Sequence, residues 1–171
     1  DSRDAAGLYD TVEHCGGCGL SCLAVLTGES HAEATCDVSS GFPTCSYTCI
    51  GGFVDVDGII DNGCECDPEP GADIPDSDGP GGVGVDSDCD GVDGQRLNAI
   101  FVSKTGDDGA PGSLEMPMRT LGAAIPAASA AGLDHVYAAT GAYVESVSLV
   151  GGVQLFGGYS ADFRVRDPLA Y

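Results

Sequence analysis

The chain has 171 residues, with 27 acidic against 6 basic side chains and a formal net charge of −21. Phosphate binding needs Lys and Arg, so nucleic acid and anionic membrane surfaces are poor partners for this chain, whereas divalent cations or basic partners suit its field. No stretch reaches the roughly eighteen apolar residues that a membrane span requires, so no membrane insertion is expected.

The charge is uneven. Residues 1–97 hold 20 acids and 2 bases, and residues 98–171 hold 7 acids and 4 bases. All nine cysteines lie between Cys15 and Cys89, where large apolar residues are few. That pattern predicts a disulfide framework in a secreted or cell-surface protein, because small modules with little core need covalent staples. No leader is visible at Asp1-Ser2-Arg3-Asp4, so a secreted product is expected to be a mature or trimmed form.

Residues 1–66 read as a disulfide-rich module. Cys15-Gly16-Gly17-Cys18 is followed by Cys22, and C-x-x-C is also a spacing used by metals. No second C-x-x-C follows for a zinc ribbon, and Gly19 stands where c-type haem attachment needs His. Disulfides are therefore expected for Cys15, Cys18, Cys22, Cys36, Cys45, Cys49, Cys64, Cys66 and Cys89. Short alternation in Ala34–Val38 and Ser46–Ile50, parted by the turn signal Gly41-Phe42-Pro43, predicts an irregular hairpin.

From Asp55 through Asp93 the chain holds thirteen carboxylates and no Lys or Arg. Asp86, Asp88, Asp90, Gly91 and Asp93 form D-x-D-x-D-G-x-D, in which alternate Asp residues aim oxygens at one point and Gly allows a sharp turn. Calcium is the expected cofactor, held by Asp86, Asp88, Asp90 and Asp93, with Asp55, Asp57 and Asp61 as a second candidate set. Leu97 stands where an EF-hand loop places its bidentate Glu. Residues 67–97, rich in Pro, Gly and Asp, read as a linker with a calcium-type loop.

Residues 98–171 change character. Ala99–Ser103, His135–Ala139, Val147–Val150 and Val153–Phe156 read as short strands, with Gly141, Gly151-Gly152 and Gly157-Gly158 between the later ones. Thr120 and Gly132 bracket a helix over Leu121–Ala131 that Pro126 shortens or kinks. Arg164 and Arg166 read as exposed charges or an interface. Strands with glycine corners at this spacing suggest the coils of a parallel solenoid.

Three resemblances sharpen these expectations. The Cys15–Cys22 pattern, with Cys49-Ile50-Gly51-Gly52-Phe53 and Asn62-Gly63-Cys64-Glu65, resembles the small cysteine-rich repeat of secreted proteins from myxobacteria and relatives. That repeat carries D-C-D-G where this chain has Val56, which implies an odd cysteine in the module and a separate Cys66–Cys89 pair. The acidic motif resembles the calcium loops of EF-hand-like and thrombospondin type-3 repeats. Residues 98–171 resemble the opening of a pectate-lyase-like right-handed parallel β-helix, through Phe101-Val102-Ser103, Pro117–Leu121, Gly141-Ala142-Tyr143 and Gly157-Gly158-Tyr159.

The expected fold class is therefore mainly β: an irregular disulfide-rich module, an acidic calcium-type loop, then the capped start of a parallel β-helix. The expected function is structural or adhesive, as a subunit that self-associates or binds another surface protein through the open β-helix end. The alternative is the N-terminal fragment of a polysaccharide-binding or polysaccharide-degrading β-helix protein. No catalytic constellation is present in the sequence, so enzymatic activity is not expected.

Overall fold

The structure is a computed structural model and describes residues 7, 9–24, 26 and 30–171. The chain divides into two compact units, Asp1–Pro68 and Glu69–Tyr171.

In the first unit, β1 (Ala32–Asp37) and β2 (Thr44–Cys49) form an antiparallel hairpin with Cys36 opposite Cys45. The Asp37 carboxylate accepts the Ser39 N–H at 2.8 Å and starts the turn between the strands. Cys15 bonds to Cys36 and Cys22 to Cys45, so the glycine-rich loop is fastened to both strands of the hairpin. Cys49 bonds to Cys64. The core here is little more than Cys15, Cys22 and Ala34, with Val12, Leu26, Cys36 and Cys45 against them. So small an apolar cluster explains the need for cross-links. Cys66 and Cys89 are also disulfide-bonded, giving four disulfides in all. Cys18 departs from the expectation: it is exposed and free. It sits between Gly17 and Gly19 on a turn closed by the bonds Cys15 N–H to Leu20 O and Leu20 N–H to Gly17 O, so its side chain faces solvent.

The second unit is built on a three-stranded parallel sheet in the order β3 (Ala99–Val102), β4 (His135–Ala139), β5 (Gln154–Tyr159). Helix α1 (Leu121–Ala131) joins β3 to β4. Thr120 caps its start by accepting the Ala123 N–H, and Gly132 ends it in the left-handed conformation. The helix runs through Pro126, which has no N–H to offer the Gly122 carbonyl four residues earlier. Side chains alternate across the sheet. Ile100, Val102, Val136 and Ala138 face α1 and pack on Leu121, Ala124, Ile125 and Ala128. Ala99, Phe101, Tyr137 and Ala139 face the other way, onto Val92, Tyr159 and Phe163. All five residues of β4 are buried, as expected of a central strand covered on both faces.

This architecture overturns the β-helix. A solenoid wraps each coil into two or more sheets, whereas this unit has one open sheet of three strands. Helix and strand account for only 12% and 20% of the chain, so it is not mainly β; turns and irregular backbone dominate. The physical reason lies in the connections. The link from β3 to β4 is a helix that occupies one face of the sheet. The link from β4 to β5 contains Val147–Val150, expected as a strand, but that stretch has no strand partner and exposes Val147 and Leu149. The sheet edges are also covered. Residues 112–118 bond along β3, through Phe101 N–H to Gly112 O and Ser103 N–H to Met118 O. Residues 165–167 bond along the end of β5, through Ser160 N–H to Val165 O and Asp167 N–H to Gly158 O. Of the side chains expected at an open end, Val153 and Phe156 pack on the two cores and Leu155 is 37% exposed.

Thiol titration of the denatured, unreduced chain should find one reactive group, Cys18. Replacing Cys15 and Cys36 together by Ser releases a 21-residue loop and should lower stability by about 3 kcal/mol, read as a shifted urea midpoint. The native midpoint in that variant would contradict the stapling role.

Candidate cation-binding centre

The acidic segment of the second unit folds by turning its carboxylates onto its own backbone. Asp86 accepts the Asp90 N–H at 3.1 Å and the Gly91 N–H at 2.8 Å. Asp88 accepts the Asp90 N–H at 3.2 Å. Asp90 accepts the Val92 N–H at 3.1 Å and the Arg96 N–H at 2.9 Å. Asp73 reaches across the segment to the Gly94 N–H at 2.7 Å. Val92 anchors the loop in the apolar face of the sheet, and the Tyr159 hydroxyl donates to the Asp93 carbonyl at 2.6 Å. Gly94 has φ +111°, and any Cβ there would strike the Tyr137 hydroxyl and Pro75, so only glycine fits.

Carboxylate oxygens of Asp73, Asp86 and Asp88 lie within 4.8 Å of one another. Oxygens around a single calcium ion, each 2.3–2.6 Å from it, must lie within about twice that distance of one another. The donor set is all oxygen, which suits a hard cation. Asp73 is only 3% exposed, and burial together with the charges of Asp86 and Asp88 pushes its carboxyl above the usual range, against the Gly94 hydrogen bond. Burial raises Asp86 as well, against the N–H groups of Gly91 and Asp90.

The structure therefore brings together Asp86 and Asp88 of the expected set and adds Asp73. It does not bring Asp90 or Asp93 to the same point. Asp90 accepts the Val92 and Arg96 N–H groups, and burial holds it up at about 6. Asp93 faces the guanidinium of Arg166 at 3.5 Å, and burial nonetheless pushes it up to about 7. Arg166, expected as an exposed charge or an interface residue, has a side chain only 11% exposed. Beside Asp88 and Asp90 opens a cavity of about 720 Å³, walled by Arg96, Leu97, Ile100 and Leu133 among others.

The first unit carries a second group, Asp55, Asp57 and Glu65, again with oxygens within 4.8 Å. Asp55 accepts the Gly58 N–H at 2.7 Å and the Tyr47 hydroxyl, and Asp57 accepts the Ile59 N–H at 2.8 Å. The Tyr47 hydrogen bond holds the Asp55 carboxyl below its usual range and pushes Tyr47 up to about 12. Glu65 takes the place expected for Asp61. The sulfurs of Cys15, Cys22 and Cys45 also lie close, but they belong to two neighbouring disulfides and offer no thiolates.

No family model, no curated protein and no solved structure matches the chain. The four disulfides mark a disulfide-stabilised protein of an oxidising, extracellular-type environment. No helix among the described residues is long and apolar enough to cross a membrane.

Asp93 gives a pH dependence with a definite sign. Its value is raised from 3.8 in the unfolded chain to about 7, so the folded state holds the proton more tightly. Stability is greatest near pH 4 and is lost as pH rises toward 7. The carboxyls held low, such as Asp55 and Asp162, oppose this only at still lower pH. Melting in chelator should therefore show a midpoint that falls between pH 4 and pH 7, and Asp93→Asn should flatten the slope. A midpoint that rises steadily over this interval would contradict the assignment.

Proposed function

We propose that the chain is an extracellular structural or adhesive module whose acidic segments fold around calcium. The observation that carries this reading is the convergence of Asp73, Asp86 and Asp88 on one point, with Asp73 buried. Three carboxylates so placed repel one another in a partly desolvated site, and a divalent cation converts that repulsion into attraction. Affinity is expected in the range of extracellular modules, about 0.1–1 mM. Asp55, Asp57 and Glu65 form the weaker, more exposed counterpart. The combination of disulfides and cation loops is what the resemblance to secreted myxobacterial repeat proteins implies, and we carry it over as part of the proposal.

The partner side of the reading is self-association or docking on another surface protein. It is supported by exposed apolar side chains on the second unit, Val144, Leu149 and Leu169, which are 96%, 71% and 89% exposed.

Calorimetric or fluorescence melting in chelator and in millimolar calcium tests the cation reading. At about tenfold excess over its dissociation constant, one bound ion should add about 1.4 kcal/mol. Asp73→Asn should remove the calcium-induced rise, since it deletes one anionic ligand without changing size. Calcium should also slow proteolysis within residues 69–97. Identical midpoints in chelator and calcium for the native chain would refute the reading.

A further inference from the structure

The cavity of about 720 Å³ beside Asp88 and Asp90 lies wholly within the second unit. Its floor is apolar. Ile100 comes from β3, Leu133 from just beyond α1, and Pro111 and Leu114 from the chain on either side of Gly112. Gly112 makes the close fit possible, since its φ is +79° and a Cβ there would strike the Ile100 side chain. The turn Arg96–Asn98 supplies another wall and leaves Leu97 92% exposed. The polar wall carries three carboxylates, Asp88, Asp90 and Glu115, against one guanidinium, Arg96. Arg96 is engaged: it pairs with Glu115, and its Nη1 donates to the Asp90 carbonyl at 3.3 Å. The charge that remains is that of Asp88 and Asp90, beside an apolar floor. Burial holds the Asp90 carboxyl up at about 6. A cation brought to it gains more than it would at a carboxylate bathed in water.

We infer that this cavity is a docking cleft for a lysine side chain of a basic partner protein, with the alkyl stem on Ile100, Leu114 and Leu133 and the ammonium at Asp88 and Asp90. Lysine is apolar along its stem and charged at its tip, which matches a floor and a wall of those two kinds. Other occupants do not fit. An anion would meet two carboxylates, with Arg96 taken by Glu115. Among the described residues no aromatic side chain lines the cavity, so a flat ring finds no stacking face. A second copy of the chain would bring 27 acidic side chains, and its single lysine, Lys104, lies 4.9 Å from the ring centroid of Tyr143. The cleft names the chemistry of the surface protein on which the chain is proposed to dock, and rests on that reading; it does not rest on calcium.

Amide shifts in nuclear magnetic resonance test the cleft, recorded in chelator because Asp88 also belongs to the candidate calcium centre. The probe is an Ala-Leu-Lys-Leu-Ala peptide capped at both ends, set against the same peptide with norleucine in place of lysine. The lysine peptide should shift the amides of residues 88–97 and 112–115 and of Leu133, and the norleucine peptide should bind about tenfold more weakly. Asp88→Asn should weaken the lysine peptide by about the same factor and leave the norleucine peptide unchanged. Leu97→Arg changes an exposed side chain and places a like charge at the cleft, so it should remove binding of the lysine peptide. Equal affinity for the two peptides would overturn the inference, as would lysine-peptide shifts that fall elsewhere or survive Leu97→Arg. If Asp88→Asn does not fold, Leu97→Arg and the peptide comparison decide. A chain that takes the lysine peptide yet binds no basic protein would remove the docking reading and leave the lysine cleft. A chain that binds a basic protein with the same affinity after Leu97→Arg would keep the docking and remove the cleft.

Discussion

Thirteen carboxylates lie between Asp55 and Asp93 without one basic residue, and the chain must fold with them. Left extended, they would stay solvated and repel. Folded, each needs something of opposite sign close by, and the structure finds it first in the backbone. The N–H groups of Gly58, Ile59, Asp90, Gly91, Val92 and Gly94 all point at Asp side chains. These bonds fix loops that have almost no apolar content of their own. They are also incomplete, because a partial positive charge on an amide does not neutralise a buried carboxylate. What remains is raised carboxyl groups at Asp73, Asp86, Asp90 and Asp93, and every further feature of the segment follows from how that residue of charge is handled.

The two units manage their small size differently. The first has, among the described residues, a small core around Cys15, Cys22 and Ala34 and depends on Cys15–Cys36, Cys22–Cys45 and Cys49–Cys64 to limit the unfolded chain. The second has no such internal staples and relies on a sheet buried on both faces. One face is covered by α1, as in any strand–helix–strand unit. The other is covered by Val92 from the acidic segment and Phe163 from the C-terminal segment, so the acidic loop is part of the core packing. Anything that loosens the loop must therefore loosen the sheet beneath it.

Much of this was readable in the residues. The alternation in Ala34–Val38 and Ser46–Ile50 marked the hairpin, Thr120 and Gly132 marked α1, and the β-branched and aromatic runs marked β3 and β4. The D-x-D spacing of Asp86 and Asp88 marked two of the three residues of the candidate centre. The parts that escaped depend on partners far away in the chain. Asp73 sits in a Pro- and Gly-rich stretch with no motif, and backbone bonds from distant residues such as Gly94, 21 residues on, place it. Arg166 meets Asp93 across 73 residues, and nothing near Arg164–Asp167 signals burial. The β-helix expectation failed for a related reason. Short apolar strands with glycine corners read the same whether the chain between them winds into a further sheet or crosses as a helix or an exposed loop. Val147–Val150 alternates like a strand, yet no neighbour offers it a ladder.

The two kinds of counter-charge carry different consequences. A guanidinium fixed by the chain is present in every environment and needs no concentration, so the Asp76–Asp93 half is compensated as soon as the C-terminal segment docks. At Asp73, Asp86 and Asp88, on the proposed reading, the compensating charge comes from solution and depends on calcium activity. Disulfides impose a condition of the same kind, since they persist only where the surroundings are oxidising. On that reading the chain is conditional twice over: the first unit on redox state and the second on divalent cation. Both conditions are met together outside cells, which is the physical reason for placing this chain there, independent of any resemblance. Whatever the ionic conditions, Arg166 meets Asp93, and Val92 and Tyr159 register the loop on the sheet.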